Sequence, residues 1–384
     1  MLLNLATALQ NDVPDLPKIL ITSQKPEVVR HLRDSLVQGG VAEPACDKPD
    51  ESRPACDQLD GAELACGQPE IAGANCDKIE VALAPADVPW VLRRFLRRTK
   101  PVGLILGENE LWPGYLSGMQ RYTRSASVAL VSGRFRKAVP GMDFSGLGFA
   151  IMQTSADQSR FLKFAAGSFR GIISVGGNWK LLPWARQNQP EISGEKSDPS
   201  GGELHAKELT SFISLHIEEL PFLQQTISFL VAQKKSLVIA PRRLEEVPRF
   251  IAALRSRDLP VVQWPATAPG HISLVYTFGK VPEILSRSEA AYVGGSFHKS
   301  LGIHDFWEPL QRGVPTFVGP FCRGAESAVQ VLIEQGGLVR LKNPNQLVGT
   351  PADKACVASA LSQEREKILN SYAQLKKFVE ELLK

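Results

Sequence analysis

Two hydrophobic rhythms alternate along this chain. Short apolar runs at residues 17–23, 81–84, 102–107, 125–133, 149–155 and 171–177 fit buried strands. Between them lie stretches in which apolar residues recur every three or four positions, such as 26–37 and the basic stretch 89–100, each opening on a proline. After a polar Gly/Pro/Ser stretch at 184–206 the alternation resumes. SFISLHIEE (211–219) opens this second half, strands are predicted at 236–241, 259–264, 272–277, 290–295 and 314–320, and helices at 220–233, 244–258, 280–289 and 325–336. The last 22 residues place Ile368, Leu369, Tyr372, Leu375, Phe378, Val379 and Leu382 at helical spacing. Strand–helix alternation argues for parallel βαβ units. The predicted architecture is α/β, with two halves that each build one parallel sheet. Residues 1–180 form an N-terminal domain, 181–362 a C-terminal domain and 363–384 a terminal helix. Ligands of such sheets bind beyond the carboxyl ends of the strands, so a cleft between the halves is the expected site.

Composition refines this picture in one place. The 384-residue chain is 43% hydrophobic and 22% charged, an ordinary globular balance, with a net charge of +4 that is too mild to argue for nucleic acid. Residues 41–80 stand apart, with ten acids against three bases, a local charge of −7 that leaves +11 elsewhere. Cys46, Cys56, Cys66 and Cys76 recur there at intervals of ten, in ACDKPDESRP, ACDQLDGAEL, ACGQPEIAGA and NCDKIEVALA. Zinc sites favour ligand pairs two to four residues apart, so this spacing reads as an acidic surface insertion grown by duplication, with too little apolar area to order itself. Cys322 and Cys356 are isolated and read as packing residues. No apolar run reaches the ~18 residues of a membrane span, and MLLNLATALQ lacks the basic opening of a secretory signal, so a cytosolic location is expected.

Two stretches carry candidate chemistry. In VGGSFHKSLGIHDFWEP (293–309) a strand runs into Gly294, Gly295 and Ser296, and His304-Asp305 is predicted to open a helix with Glu308 one turn inside. Glycines permit close backbone approach, a helix N-terminus attracts phosphate, and a carboxylate there can accept from ribose hydroxyls. A plain strand–turn–helix with a capping acid fits as well. In LGENELWPGYL (106–116) a strand ends at Glu108 and Glu110, either of which could hold a sugar hydroxyl or move a proton, or simply favour the helix start at Trp112-Pro113. Arg93, Arg94, Arg97 and Arg98 alternate with Val91, Leu92, Phe95 and Leu96, a pattern that suits an anionic lipid surface or a solvated helix face.

Taken together these stretches resemble the 3-deoxy-D-manno-octulosonic acid (Kdo) transferases of lipopolysaccharide synthesis. ENELWP resembles that family's E-T-E-L-W-P. APADVPWVLRRFLRRTKP (84–101) resembles its P-x-D-x-P…RRFL…P, and VSGRF (131–135) its N-A-R-L. QTSADQSRF (153–161) is similar to Q-S-x-x-D-x-x-R-F, and GGNWK to G-N-L-K through Gly177, Asn178 and Lys180. SLHIEE (214–219) resembles S-T-H-x-x-E-E, APRRLEEVP (240–248) resembles P-R-H-P-E-R, and VGGS with HDFWEP resembles V-G-G-S and H-N-x-x-E-P. The resemblance implies a GT-B type fold, two Rossmann-like parallel-sheet domains facing a central cleft. It implies an inverting enzyme, peripheral on the cytoplasmic face of the inner membrane, that transfers Kdo from CMP-Kdo to a lipid A precursor without a metal or cofactor. On the same ground it implies that Ser214, His216, Glu219, Arg242, Arg243, Gly294, Gly295, Ser296, His304, Asp305 and Glu308 lie near the nucleotide, with Asn178 and Lys180 also in substrate-binding positions.

The departures point to a rival reading. The family's S-V-G-E, with its proposed general base, would fall before Met1, which leaves Glu108 and Glu110 as candidate bases. D-T-M-G-E reads Tyr276-Thr277-Phe278-Gly279-Lys280, P-R-H reads Pro241-Arg242-Arg243, and H-N reads His304-Asp305. A catalytically impaired relative that binds nucleotide or lipid as a scaffold is the alternative, and a GT-B enzyme using another nucleotide sugar is a third. Slow transfer by the chain as numbered is the expectation.

Overall fold

The computed structural model describes residues 1–13, 15–23, 25–39, 79–123, 126–135, 142–165, 167–187, 208–348 and 354–384. The cysteine repeats, and nearly all of the polar stretch at 184–206, lie outside the described residues. The chain divides into two compact units. The described residues up to Gln187 join Glu366–Lys384 in the first, and those from 208 to Arg365 form the second.

The first unit contains α1 (Leu2–Asp12), β1 (Ile19–Ser23), α2 (Pro26–Gly39), β2 (Ile79–Leu83), α3 (Pro89–Thr99) and β3 (Leu104–Gly107). It continues through α4 (Pro113–Tyr122), β4 (Val128–Gly133), β5 (Leu147–Met152), α5 (Ser155–Ala165), β6 (Ile172–Val175) and α6 (Leu182–Arg186). Every pairing in it is parallel, as expected, but the strands form two sheets rather than one: β1-β2, and β3-β4-β5-β6. Each has its own core. Leu3 and Ala6 of α1 and Val29 of α2 cover Ile21, Ile79 and Val81 of the small sheet. The larger sheet packs around Val128, Leu130, Leu147, Ala150 and Phe161. Phe161 sits edge-on to Phe135, Phe144 and Phe169, with ring centroids 5.2–5.5 Å apart.

The second unit contains β7 (Leu209–Leu215), α7 (Leu220–Ala232), β8 (Ser236–Pro241), α8 (Val247–Arg255), β9 (Val261–Gln263), β10 (Ile272–Leu274) and α9 (Val281–Ser286). β11 (Ser288–Val293), α10 (Trp307–Gln311), β12 (Thr316–Val318), α11 (Glu326–Glu334) and β13 (Val339–Arg340) follow. Its seven parallel strands lie in the order β13-β12-β11-β7-β8-β10-β9. The chain enters at the centre with β7, winds to one edge through β8, β9 and β10, then crosses back to build β11, β12 and β13 on the other side. The order reverses between β7 and β11, and open parallel sheets bind ligands at such a switch point. The last helix, α12 (Lys354–Leu382), begins nine residues before its predicted start and runs from the second unit into the first. In the first unit, its Phe378 stacks on Phe149 at 5.3 Å, and Tyr372 donates to Asp12 Oδ2 at 2.7 Å. Arg186 holds both oxygens of that same carboxylate. Proline stands in the first turn of α2, α3, α4, α6, α7, α8 and α9, where its missing N–H has no intrahelical partner to lose.

Candidate functional site

The switch point of the second unit is built around one carboxylate. β7 ends through Ser214, whose φ of +52° puts a side-chain-bearing residue in the left-handed region, where β7 and β8 lose register. One 3-10 turn later comes Glu219, fully buried. Its Oε1 accepts from the backbone N–H of Ser296 at 3.0 Å, the N–H of Phe297 at 2.9 Å and the hydroxyl of Tyr292 at 2.7 Å. Its Oε2 accepts from the N–H of Gly295 at 2.6 Å and from that of His216 at 3.4 Å. A buried carboxylate is costly unless donors replace its water, and these five do so. The turn after β11 is thereby fixed, and only glycine fits within it. A Cβ on Gly294 would lie 2.1 Å from the Ser214 carbonyl oxygen, and Gly295 adopts φ +87° with 2.0 Å to that of Gly302. Ser296, also fully buried, accepts from Gly319 N–H at 2.8 Å and donates to Val293 O at 2.9 Å. Glu219 and Ser296 therefore spend their polar atoms on holding the turn.

The chain then folds back, with His304 N–H donating to Gly294 O at 3.3 Å, and this brings His304 onto His216. Their Nε2 atoms are 2.5 Å apart and the rings stack with centroids 4.8 Å apart. Burial, then Arg242 and the neighbouring imidazole, push the His304 pKa down to about 4, and burial above all lowers that of His216. Arg242 is fixed at the end of β8 by its N–H on Leu215 O at 2.8 Å, while its side chain and that of Arg243 are exposed. Buried Glu246 lies 3.3 Å from Arg249 and 3.9 Å from Arg243. The predicted helix at 304–309 proves shorter. α10 is five residues long and starts at Trp307, with Phe306 at its N-cap and Asp305 Oδ1 accepting the Trp307 N–H at 2.9 Å. His304 thus lies in the loop, and so short a helix supplies little dipole. Glu308 is half-buried, and burial, then Asp305, raises its carboxyl pKa.

The first unit has a second acidic centre at a strand end. Glu108, with φ +54°, follows β3. Its Oε2 meets Arg134 Nη2 at 2.8 Å and its Oε1 lies 3.0 Å from Lys180 Nζ. Burial raises this carboxyl's pKa, but the two cations outweigh it and the net shift is downward. Asn178 accepts the Lys180 N–H at 3.1 Å, so Asn178 serves as a cap. Glu110 accepts from Trp112 Nε1 at 2.7 Å and stays exposed. Asp87 accepts the Gly114 N–H at 3.3 Å, which joins the P-x-D-x-P segment to the start of α4 behind ENELWP. Three residues of these sites carry no signal in the sequence pattern: Arg134, which lies inside VSGRF; Tyr292, two residues before Gly294; and Glu246, whose burial just before α8 leaves no mark in spacing.

A family model described as 3-deoxy-D-manno-octulosonic-acid transferase (kdotransferase) matches residues 61–182. Three curated proteins of that name are similar to the chain. The one from Aquifex aeolicus is 25% identical over 268 residues, 69% of this chain and 69% of its own length. That of Chlamydia trachomatis serovar D is 24% identical over 62% of this chain and 57% of its own. That of Bordetella pertussis is 25% identical over 72% and 68%. The chain is similar to the Kdo transferases. Among solved structures, the C-terminal CMP-Kdo binding domain of WaaA from Acinetobacter baumannii aligns with 47% of this chain and 91% of its own, at 19% identity and a TM-score of 0.35. UDP-GlcNAc 2-epimerase from Neisseria meningitidis aligns with 99% and 90%, at 13% identity and 0.49. Each of the two units is α/β, with parallel pairings between its strands. Among the described residues, no group of three or more metal-ligating side chains occurs, and no helix is long and apolar enough to cross a membrane.

Proposed function

We propose that the chain is a glycosyltransferase that moves Kdo from CMP-Kdo to a lipid A precursor, with the second unit holding the nucleotide. The observation that carries this reading is the carboxylate-fixed turn at the β7/β11 switch point, with His216, His304, Arg242 and Arg243 on the adjoining strand ends. Imidazoles and guanidiniums suit a phosphate, because the planar fork of arginine binds its oxygens bidentately. Glu308 is the ribose ligand in this reading, and no metal is needed where fixed donors neutralise the leaving phosphate. The Glu108–Arg134–Lys180 centre faces the acceptor. α3 is the contact with the cytoplasmic membrane surface, since Trp90 is 72% exposed beside the exposed Arg93, Arg94, Arg97 and Arg98 while Leu92 and Leu96 pack inward.

Calorimetry with the full chain tests the donor half of the reading. CMP should bind, UMP and GMP should bind more weakly, and Glu308→Ala should weaken CMP by about 1–3 kcal/mol. Equal heats for the three nucleotides would count against CMP as the carrier. Sedimentation with vesicles containing anionic lipid tests the membrane contact, and replacing the four α3 arginines with serine should abolish it.

A second reading, a nucleotide- or lipid-binding scaffold without transferase activity, is favoured by one observation. Glu108 is held ionised by Arg134 and Lys180, which makes it a weak general base.

A further inference from the structure

We propose that His216 and His304 act as one proton-binding unit that takes up a proton when a phosphate monoester dianion occupies the site. This rests on the reading of the site as a nucleotide-sugar site. The geometry is the starting point. Two imidazole Nε2 atoms 2.5 Å apart leave room for one shared hydrogen between them; in the neutral pair one Nε2–H donates to the other Nε2, whose ring carries its own hydrogen on Nδ1, and a further proton would go to the free Nδ1. The charged groups around the pair are three carboxylates and two guanidiniums. Glu218 and Glu219 follow His216, Arg242 and Arg243 follow β8, and Glu246 stands just before α8. Asp305, next to His304, accepts the Trp307 N–H. Burial and the arginines keep that further proton off the free pair at neutral pH.

A bound phosphate changes that balance. Transfer breaks the bond between the sugar's anomeric carbon and the phosphate oxygen and leaves the electron pair on that oxygen. A monoanionic diester becomes a dianionic monoester. The acceptor hydroxyl loses its proton as the new glycosidic bond forms, so one proton is released overall, and the pair gains one. Its added positive charge matches the charge that develops on the leaving group, so it binds product phosphate and transition state better than substrate diester. Affinity for a monoester then falls by about tenfold per pH unit between the free and bound pKa values of the pair.

The experiment is calorimetry on the full chain near neutral pH, in buffers of different ionisation enthalpy, with CMP, cytidine and inorganic phosphate as probes. The expected result is uptake of about one proton per CMP and per phosphate, and none with cytidine. His304→Gln and His216→Gln should each abolish the uptake and flatten the pH dependence, with melting temperatures reporting whether each variant is folded. Where a variant does not fold, the wild-type buffer series decides. CMP bound without proton uptake overturns the proposal while the nucleotide reading stands, as does uptake unchanged in a folded glutamine variant. Phosphate bound with uptake while CMP gives no heat upholds the pair and contradicts the nucleotide reading. No binding of either phosphate probe contradicts both.

Discussion

Two glutamates stand past the carboxyl end of a parallel strand, one in each unit, and they do opposite things. Glu219 is fully buried and holds five neutral donors, three of them backbone N–H groups of the turn after β11. Glu108 is less buried and faces two cations on flexible side chains, Arg134 and Lys180, the latter more than half exposed. The first arrangement is architectural, because removing the carboxylate strands donors that water cannot reach. The second is an exchangeable charge cluster, in which an incoming anion or hydroxyl can take over a cation without unfolding anything. The topology differs in the same sense. The sheet beside Glu219 reverses its strand order there, whereas β3 to β6 run in simple sequence beside Glu108.

This contrast can be broken most severely at Glu219. Glu219→Ala should destabilise the second unit by about 3 kcal/mol or more, since several charge-assisted hydrogen bonds are lost together and their donors stay buried. Chemical denaturation measures it, and a change below 1 kcal/mol would show the turn to be self-supporting. Gly294→Ala is next. It pushes a methyl into the Ser214 carbonyl and should cost about 1–3 kcal/mol together with nucleotide binding.

Acid sharpens the comparison. His304 has a folded pKa of about 4, below its ordinary 6.5, so the unfolded chain binds more protons between those values. The contribution is fully present above pH 6.5 and is lost as pH falls towards 4, and His304→Gln should flatten that part of the stability profile. Glu108, whose folded pKa is lowered by its cations, loses its contribution only at lower pH, as its own carboxyl protonates. The smallest effect is expected for Glu108→Gln. A partly exposed ion pair is worth roughly 0–1 kcal/mol, so stability should barely move while acceptor-dependent activity falls. A large loss of stability would place Glu108 in the same class as Glu219.

Much of the fold was legible in the sequence, because strands such as VALVSG and SLVIAP are unbroken apolar runs and the first-turn prolines mark the helix starts. Less legible was which strands share a sheet. The split between β1-β2 and β3–β6 depends on packing that apolar runs do not encode. At the site, the motifs mark segments that meet at the switch point but not what each side chain does there. Glu219 and Ser296 carry the residue types of ligands and spend their polar atoms on the turn. Asp305 accepts the Trp307 N–H just before α10. Spacing along the chain does not reveal whether a polar atom faces inward, and that alone separates scaffold from ligand here.

The most direct test of the central claim is transfer itself. The full chain, CMP-Kdo and a lipid A precursor in detergent are incubated together and the lipid is weighed by mass spectrometry. The account predicts a precursor heavier by one or more Kdo residues, with transfer reduced by His304→Gln and by Glu308→Ala. An unmodified precursor from a folded chain that binds CMP would contradict the transferase reading and favour the scaffold.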